Sequence, residues 1–358
     1  MKNLQIKNWP ITIISFLLFS VGILVIYSSS PELALQQSFF AIVGFLIFVF
    51  IAQFDYRSIK NLVTPIYFLT IILLVVVFVL GIETRGSIRW IPLGPFNMQP
   101  SEFAKPALIL FLAHFWTRNV SSWKSILTSL ILFLPISFLV FKQPDLGSTM
   151  TITAIWIGIL FSSGISTKKL VTLVIIGVLF IPVSWFLLHD YQKERITSFF
   201  APETDPLGRG YNLIQSTIAV GSGELLGRGL GRGTQSRLQF LPEFRTDFIF
   251  ASIAEELGFI GALLILILYL ILLFYLLWVA KEAYDFFGFL LISGVVSMIS
   301  FQTVVNIGMN IGLLPITGIT LPLISYGGSS LIATFICLGL AASVIKYKKR
   351  IDMELKED

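Results

Sequence analysis

The sequence predicts an all-α, polytopic membrane protein with about ten transmembrane helices and one long extracytoplasmic loop between helices 7 and 8. Three observations carry that prediction. Of 358 residues, 56% are hydrophobic and 13% charged, against roughly 25% charged in an ordinary soluble domain. The apolar residues come in blocks of about twenty, each long enough to cross a hydrocarbon core of roughly 30 Å. Lysine and arginine gather in alternate connecting segments, as they do when short basic loops are retained in the cytoplasm.

Taken in order, the blocks lie at 10–28, 37–54, 62–82, 101–116, 126–141, 145–163, 169–189, 248–280, 286–307 and 323–345. Three are weak: 101–116 carries Glu102 and Lys105, 126–141 is short, and 248–280 is long enough to be broken or steeply tilted. One set of segments holds Lys2, Lys7, Arg57, Lys60, Arg118, Lys124, Lys168, Lys169, Lys281 and the basic C-terminus from Lys346 to Lys356. The alternate short loops hold only Arg85, Arg89 and Lys142. This asymmetry puts both termini in the cytoplasm and agrees with an even number of spans. The apolar run after Lys2 and Lys7 is longer than a signal-peptide core and more spans follow it, so it reads as a first helix. The whole of 1–358 forms one membrane domain, with 190–247 as a long outer loop.

Some functions are excluded early. The only cysteine, Cys337, sits inside the last block, which rules out a disulfide framework or a cysteine metal site. His114 and His189 stand at block ends as ordinary interfacial side chains. The net charge of +5 follows membrane topology, so no nucleic-acid partner is implied. No repeat of 20–50 residues is visible.

The loop is long enough to expect function, and Tyr211–Ala219 (YNLIQSTIA) within it reads as a short amphipathic helix. The stretch GSGELLGRGLGRG at 221–233 has no preceding strand, so it is not a dinucleotide fingerprint. Arg228, Arg232 and Arg237 there are either a diphosphate grip or a mobile surface touching lipid headgroups. Asp247, in LPEFRTDFIF, is either a helix cap or a base whose pKa rises at a dehydrated boundary. Glu255 and Glu256 lie two turns deeper, and intramembrane glutamates are functional suspects. Glu102 and Lys105 share one helix face as an ion pair or as substrate contacts. Asp145, in KQPDLGS, caps the sixth span or faces an outer cavity. Arg85, Arg89 and Trp90 form an interfacial anchor or a headgroup site. The glycine- and proline-rich stretch NIGMNIGLLPITGITLPLISYGGSS predicts a broken segment, tolerated in a membrane only against protein or a cavity.

Together GSIRWIPLG, NMQPSEFAKPAL, KQPDLGS, YNLIQSTIAVGSGELLGRGLG, LPEFRTDFIFASIAEELG and GLLPITGITLPLISYGGSS resemble, in order and over nearly the whole chain, the RodA/FtsW/SpoVE (SEDS) family. The resemblance implies a peptidoglycan glycosyltransferase that polymerises lipid II at the outer face of the bacterial cytoplasmic membrane, with a class B penicillin-binding protein as transpeptidase partner. By position, the family's essential aspartate falls on Asp247. Its usual histidine two residues earlier is Arg245 here. Trp90, Glu102, Lys105, Asp145 and Ser325 match further signature positions and are expected to bind substrate with Arg228, Arg232 and Arg237. GTQS at 233–236 looks more like the elongation-type RodA branch, which serves cell shape, than the division type. The implied leaving diphosphate calls for those arginines or a divalent cation, Mg or Mn. A lipid II flippase, a division or sporulation paralogue, and a non-catalytic scaffold are the competing readings.

Overall fold

The computed structural model describes residues 9–84, 87–94, 96–188, 190–208, 210–238 and 240–357. Lys2, Lys7, Arg85 and His189 lie outside the described residues. Helices occur at all ten predicted places. The first seven are α1 (Trp9–Ser29), α2 (Pro31–Gln53), α3 (Val63–Leu80), α4 (Pro100–Arg118), α5 (Trp123–Lys142), α6 (Leu146–Ser162) and α7 (Thr167–Leu187). The long loop then holds three short helices, α8 (Asp190–Phe200), α9 (Tyr211–Ser222), as its pattern predicted, and α10 (Thr234–Arg237). After it come α11 (Ile249–Lys281), α12 (Phe286–Asn310) and α13 (Gly328–Glu357). By length and composition, seven of the described helices can cross a membrane: α1, α2, α3, α5, α11, α12 and the Gly328–Tyr347 part of α13. Large side chains such as Phe16, Leu46, Val79, Leu179 and Phe274 stand exposed on the outside of the bundle. A continuous apolar exterior of this kind suits hydrocarbon rather than water.

Local chemistry sets the helix ends. Helix α2 begins at Pro31, six residues before the predicted 37, because Ser30 accepts from Leu33 N and proline occupies the first turn, where its missing N–H costs nothing. Asp145 caps α6 through Ser148 N and Asp285 caps α12 through Gly288 N. Asp285 also accepts from Tyr56 Oη at 2.6 Å and Lys60 Nζ at 2.9 Å. That contact ties the α2–α3 turn to α12.

Helix α12 is the centre of the bundle, packed against α4, α6, α11 and α13, while α2 runs along α13. Two features depart from the predicted elements. Residues 82–98 form a small antiparallel sheet, β1 (Ile82–Thr84), β2 (Ser87–Leu93) and β3 (Phe96–Met98), with Ile91 opposite Met98. The last helix starts at Gly328 rather than 323, because the chain from Leu313 to Gly327 is irregular.

Helix α11 is broken at Gly258, whose φ is 70° and ψ −167°. The glycine-rich stretch fills that break. Arg228 N donates to Glu255 O at 2.9 Å and Gly229 N to Glu256 O at 3.0 Å, while Phe259 N donates to Glu224 O at 2.8 Å. Gly227 has φ 80°, and a Cβ there would collide with Glu256 O. Only glycine satisfies both the positive φ and the close backbone approach.

Candidate active site

A cavity of about 820 Å³ opens on the face of the bundle that carries the long loop. Its walls come from the starts of α2, α4, α6 and α13, from β2 and β3, from Arg195 of α8, from 241–247, and from the irregular 317–320 stretch. Four helix N-termini therefore end at one space, and their unpaired N–H groups and dipoles favour negative charge.

Asp247 lines this cavity immediately before α11. It does not cap the helix, because the N-cap position is Phe248 and no side chain caps there. Its main chain is clamped instead. Asn306 and Asn310 donate side-chain N–H to Asp247 O at 2.9 and 3.0 Å. Ser325 Oγ donates to Thr246 O at 2.6 Å, and Tyr326 N donates to Arg245 O at 2.8 Å. Thr246 N and Phe248 N both donate to Glu243 O. The Asp247 carboxylate itself has no hydrogen-bond partner among the described residues. Burial pushes its pKa up from the ordinary 3.8, and the Glu243 carboxylate adds to the rise. Arg195 and Arg89 oppose it, leaving the value at about 6. Gly318, at φ 73°, lies beside both groups: a Cβ there would be 3.4 Å from Asp247 Oδ2 and 3.8 Å from Arg195 Nη1.

Across the cavity, Glu102 and Lys105 form a buried ion pair at 2.6 Å. Asp145 both caps α6 and faces the cavity. It accepts from Gln99 Nε2 at 2.8 Å, Ser101 Oγ at 3.2 Å and Ser148 N at 3.0 Å, with Arg89 Nη1 at 3.9 Å. Trp90, on β2 beside Arg89, also lines the space.

Asp247, Trp90, Glu102, Lys105 and Asp145 thus share one cavity, while Ser325, Arg228 and Arg232 do not line it. Ser325 is buried behind the wall, where it braces Thr246. Arg228 is exposed on the loop, its guanidinium donating to Ser222 O and Thr234 Oγ1. Arg232 is exposed, and the side chain of Arg237 lies outside the described residues. The cavity's cations are instead Arg89, Arg195, Arg245 and Lys105. Arg195 carried no sequence signal, since only the fold brings α8 over the cavity. Glu255 and Glu256 do not line it either. Glu255 Oε1 accepts from Thr234 Oγ1 and Gln235 N, and Glu256 accepts from Ser28 Oγ. Glu255 pins the loop to the broken helix, and Glu256 ties that helix to the end of α1. Among the described residues no three histidine, cysteine or acidic side chains converge as a metal site.

A multi-pass helical membrane protein with an acid-and-arginine-lined cavity under a loop at one face is the class that this fold and site define. The cell cycle protein family FtsW/RodA/SpoVE matches residues 8–350, and the chain belongs to that family. It is 43% identical over 311 residues to the peptidoglycan glycosyltransferase MrdB of Escherichia coli strain K12, covering 86% of this chain and 84% of that protein. Among solved structures, a chain from work described as "Structural coordination of polymerization and crosslinking by a peptidoglycan synthase complex" superposes with a TM-score of 0.82 at 34% identity. That match covers 95% of this chain and 98% of the other. The rod shape determining protein RodA of Thermus thermophilus gives 0.73 at 29% identity, covering 95% and 97%.

Proposed function

We propose that this protein is a peptidoglycan glycosyltransferase of the elongation type, polymerising lipid II for cell shape at the outer face of the bacterial cytoplasmic membrane. The observation that carries the reading is Asp247: an unpaired carboxylate with a raised pKa, clamped by its main chain at a cavity that also holds arginines. A carboxylate of this kind suits a general base. It takes the proton of a sugar hydroxyl as that oxygen attacks the anomeric carbon of a lipid-linked chain. The new glycosidic bond forms with inversion, and the bond to the lipid diphosphate breaks.

The departing diphosphate carries negative charge towards Arg89, Arg195 and the N-termini of α4, α6 and α13, which supply fixed positive potential. These are proposed as the diphosphate contacts in place of Arg228 and Arg232, which do not line the cavity. Trp90, Lys105, Glu102 and Asp145 line the same space and are proposed to bind the rest of the substrate.

The basic segments support a loop face outside and both termini in the cytoplasm, and ten spans in one domain are proposed. The partner proposed is a class B penicillin-binding protein, in keeping with the similarity to a peptidoglycan synthase complex. The flippase reading rested on intramembrane Glu102, Lys105, Glu255 and Glu256, and each of these has a local structural partner.

The test is polymerisation of lipid II by the purified protein with its transpeptidase partner. Asp247→Asn is expected to abolish polymer while still forming the complex, which also separates a catalyst from a scaffold. Undiminished polymer from that variant sinks the assignment. Lipid movement across proteoliposomes without polymer, by the unaltered protein, supports transport instead.

A further inference from the structure

Gln302 lies on α12, two turns beyond Gly294, and Gly294 packs against Ile109 of α4 and Ile159 of α6. Helices α4 and α6 start at the cavity and run away from it, whereas α12 runs towards it. Eight residues of helix span about 12 Å. Continuing the same antiparallel register by eight residues brings Gln302 level with Glu102 of α4 and Thr151 of α6, and all three line the cavity.

Gln302 is only 2% exposed. Its side-chain amide makes no hydrogen bond among the described residues, and Oε1 is buried without a partner. Other buried glutamines are used by the fold. Gln37 donates to Ser325 O and accepts from Gly327 N, Gln99 donates to Ser101 and Asp145, and Gln143 donates to Leu74 O although its own Oε1 has no partner. A buried amide left unpaired is costly unless something else satisfies it.

The chemistry around Gln302 says what that something is. Lys105 and Glu102 neutralise each other at 2.6 Å, and the Thr151 hydroxyl donates to Gly147 O. This deep end is polar without net charge. Arg89, Arg195, Glu243 and Asp247 gather nearer the loop face, so an anionic part of a substrate belongs there and a neutral part below. A primary amide offers one donor face and one acceptor face side by side. Here the acceptor Oε1 is the buried atom without a partner, so its match is a neutral N–H donor such as that of a secondary amide.

We propose that Gln302 is a specificity-determining residue for the 2-acetamido group of an amino sugar, its Oε1 accepting the acetamido N–H. The proposal rests on the glycosyl-transfer reading for the identity of the sugar, and it is tested by binding so that the two fail separately.

The experiment measures equilibrium binding of lipid II, and of an analogue whose acetamido N–H is replaced by CH₂ on both sugars, to the purified complex containing either the unaltered chain or Gln302→Met. Methionine keeps the volume and removes both polar groups. The unaltered chain is expected to bind lipid II about tenfold or more tighter than the analogue, the usual scale when a site built for a polar group meets a ligand lacking it. Gln302→Met should bind lipid II about as weakly as the unaltered chain binds the analogue, with little further loss on the analogue. Its thermal stability should not fall, because no hydrogen bond within the protein is lost. Unchanged lipid II binding by Gln302→Met, undiminished discrimination by that variant, or no binding of lipid II at all overturns the proposal. Normal binding without polymer formation by the unaltered chain overturns the glycosyl-transfer reading and leaves the Gln302 assignment standing.

Discussion

Replacing Asp247 with asparagine removes a charge and changes almost nothing in volume, so stability and rate report on the same carboxylate. Its pKa in the folded chain is about 6 against an ordinary 3.8, and each tenfold change in the proton equilibrium corresponds to roughly 1.4 kcal/mol. The difference puts an upper bound of about 3 kcal/mol on the cost of keeping Asp247 ionised in the fold. Water in the cavity reduces that to about 1–3 kcal/mol. The sign follows from linkage. A carboxyl with a raised folded pKa favours the folded state while protonated, and the cost grows as pH rises from 3.8 to about 6. Asp247→Asn should therefore unfold at a higher temperature than the unaltered protein at about pH 8, with the advantage vanishing near about pH 4, in thermal unfolding followed in detergent. Polymerisation should fall by about a hundredfold or more, the scale of a lost general base. The unaltered protein's rate should drop about tenfold per pH unit below about pH 6 as the base is protonated. A stability advantage independent of pH, or a rate that stays flat through about pH 5, refutes the assignment of Asp247 as an unpaired base.

Breaking the buried Glu102–Lys105 pair with Lys105→Met should cost about 3–5 kcal/mol, because it strands a buried charge. Adding Glu102→Gln should recover most of that loss in the same unfolding assay. Arg89→Ala should lower polymerisation about tenfold or more, while Arg228→Ala, on the exposed loop, should stay within about threefold; the comparison is read from initial rates at matched protein levels. Gly258→Ala should destabilise by about 1–3 kcal/mol through its positive φ alone, and the freed glycine loop should become more open to limited proteolysis.

The helix positions were legible because hydrocarbon thickness imposes a length that survives any tertiary arrangement. Local signals were available where they were overlooked. Ser30 followed by Pro31 marks a helix start, yet the turn it begins is too polar to register as membrane-spanning. The hairpin at 82–98 hides in a seven-residue strand, Ser87–Leu93, too short for periodicity to separate from a loop. Asp247's place beside a cavity was legible because a lone carboxylate at an apolar boundary is costly wherever the chain goes. The surroundings of Arg228 were not legible, for the opposite reason. Arg228 looks like an anion ligand in sequence, but its backbone N–H is consumed by Glu255 O and its guanidinium by Ser222 O and Thr234. Such pairings depend on where α11 breaks. Arg195 and Gln302 reach the cavity only because α8 lies over it and α12 runs up beneath it, which no local pattern encodes.

How Asp247 is held also bears on its proposed role as a base. A base must be fixed in place, and the direct way to fix a carboxylate is to hydrogen-bond its oxygens. That would stabilise the ionised form and pull the pKa down, leaving a poor base. Here the grip is on the main chain. Asn306 and Asn310 hold Asp247 O, Ser325 holds Thr246 O, and Tyr326 N holds Arg245 O, so three consecutive carbonyls are anchored while the carboxylate stays unpaired. Asn306 Nδ2 also donates to Ile319 O at 2.7 Å, which links the clamp to the irregular stretch lining the cavity. The asparagines on the last turns of α12 and the irregular, glycine- and proline-bearing stretch that separates it from α13 therefore serve two ends at once. They keep α12 and α13 from closing over the cavity, and they position a carboxylate by its backbone without neutralising what makes it a base.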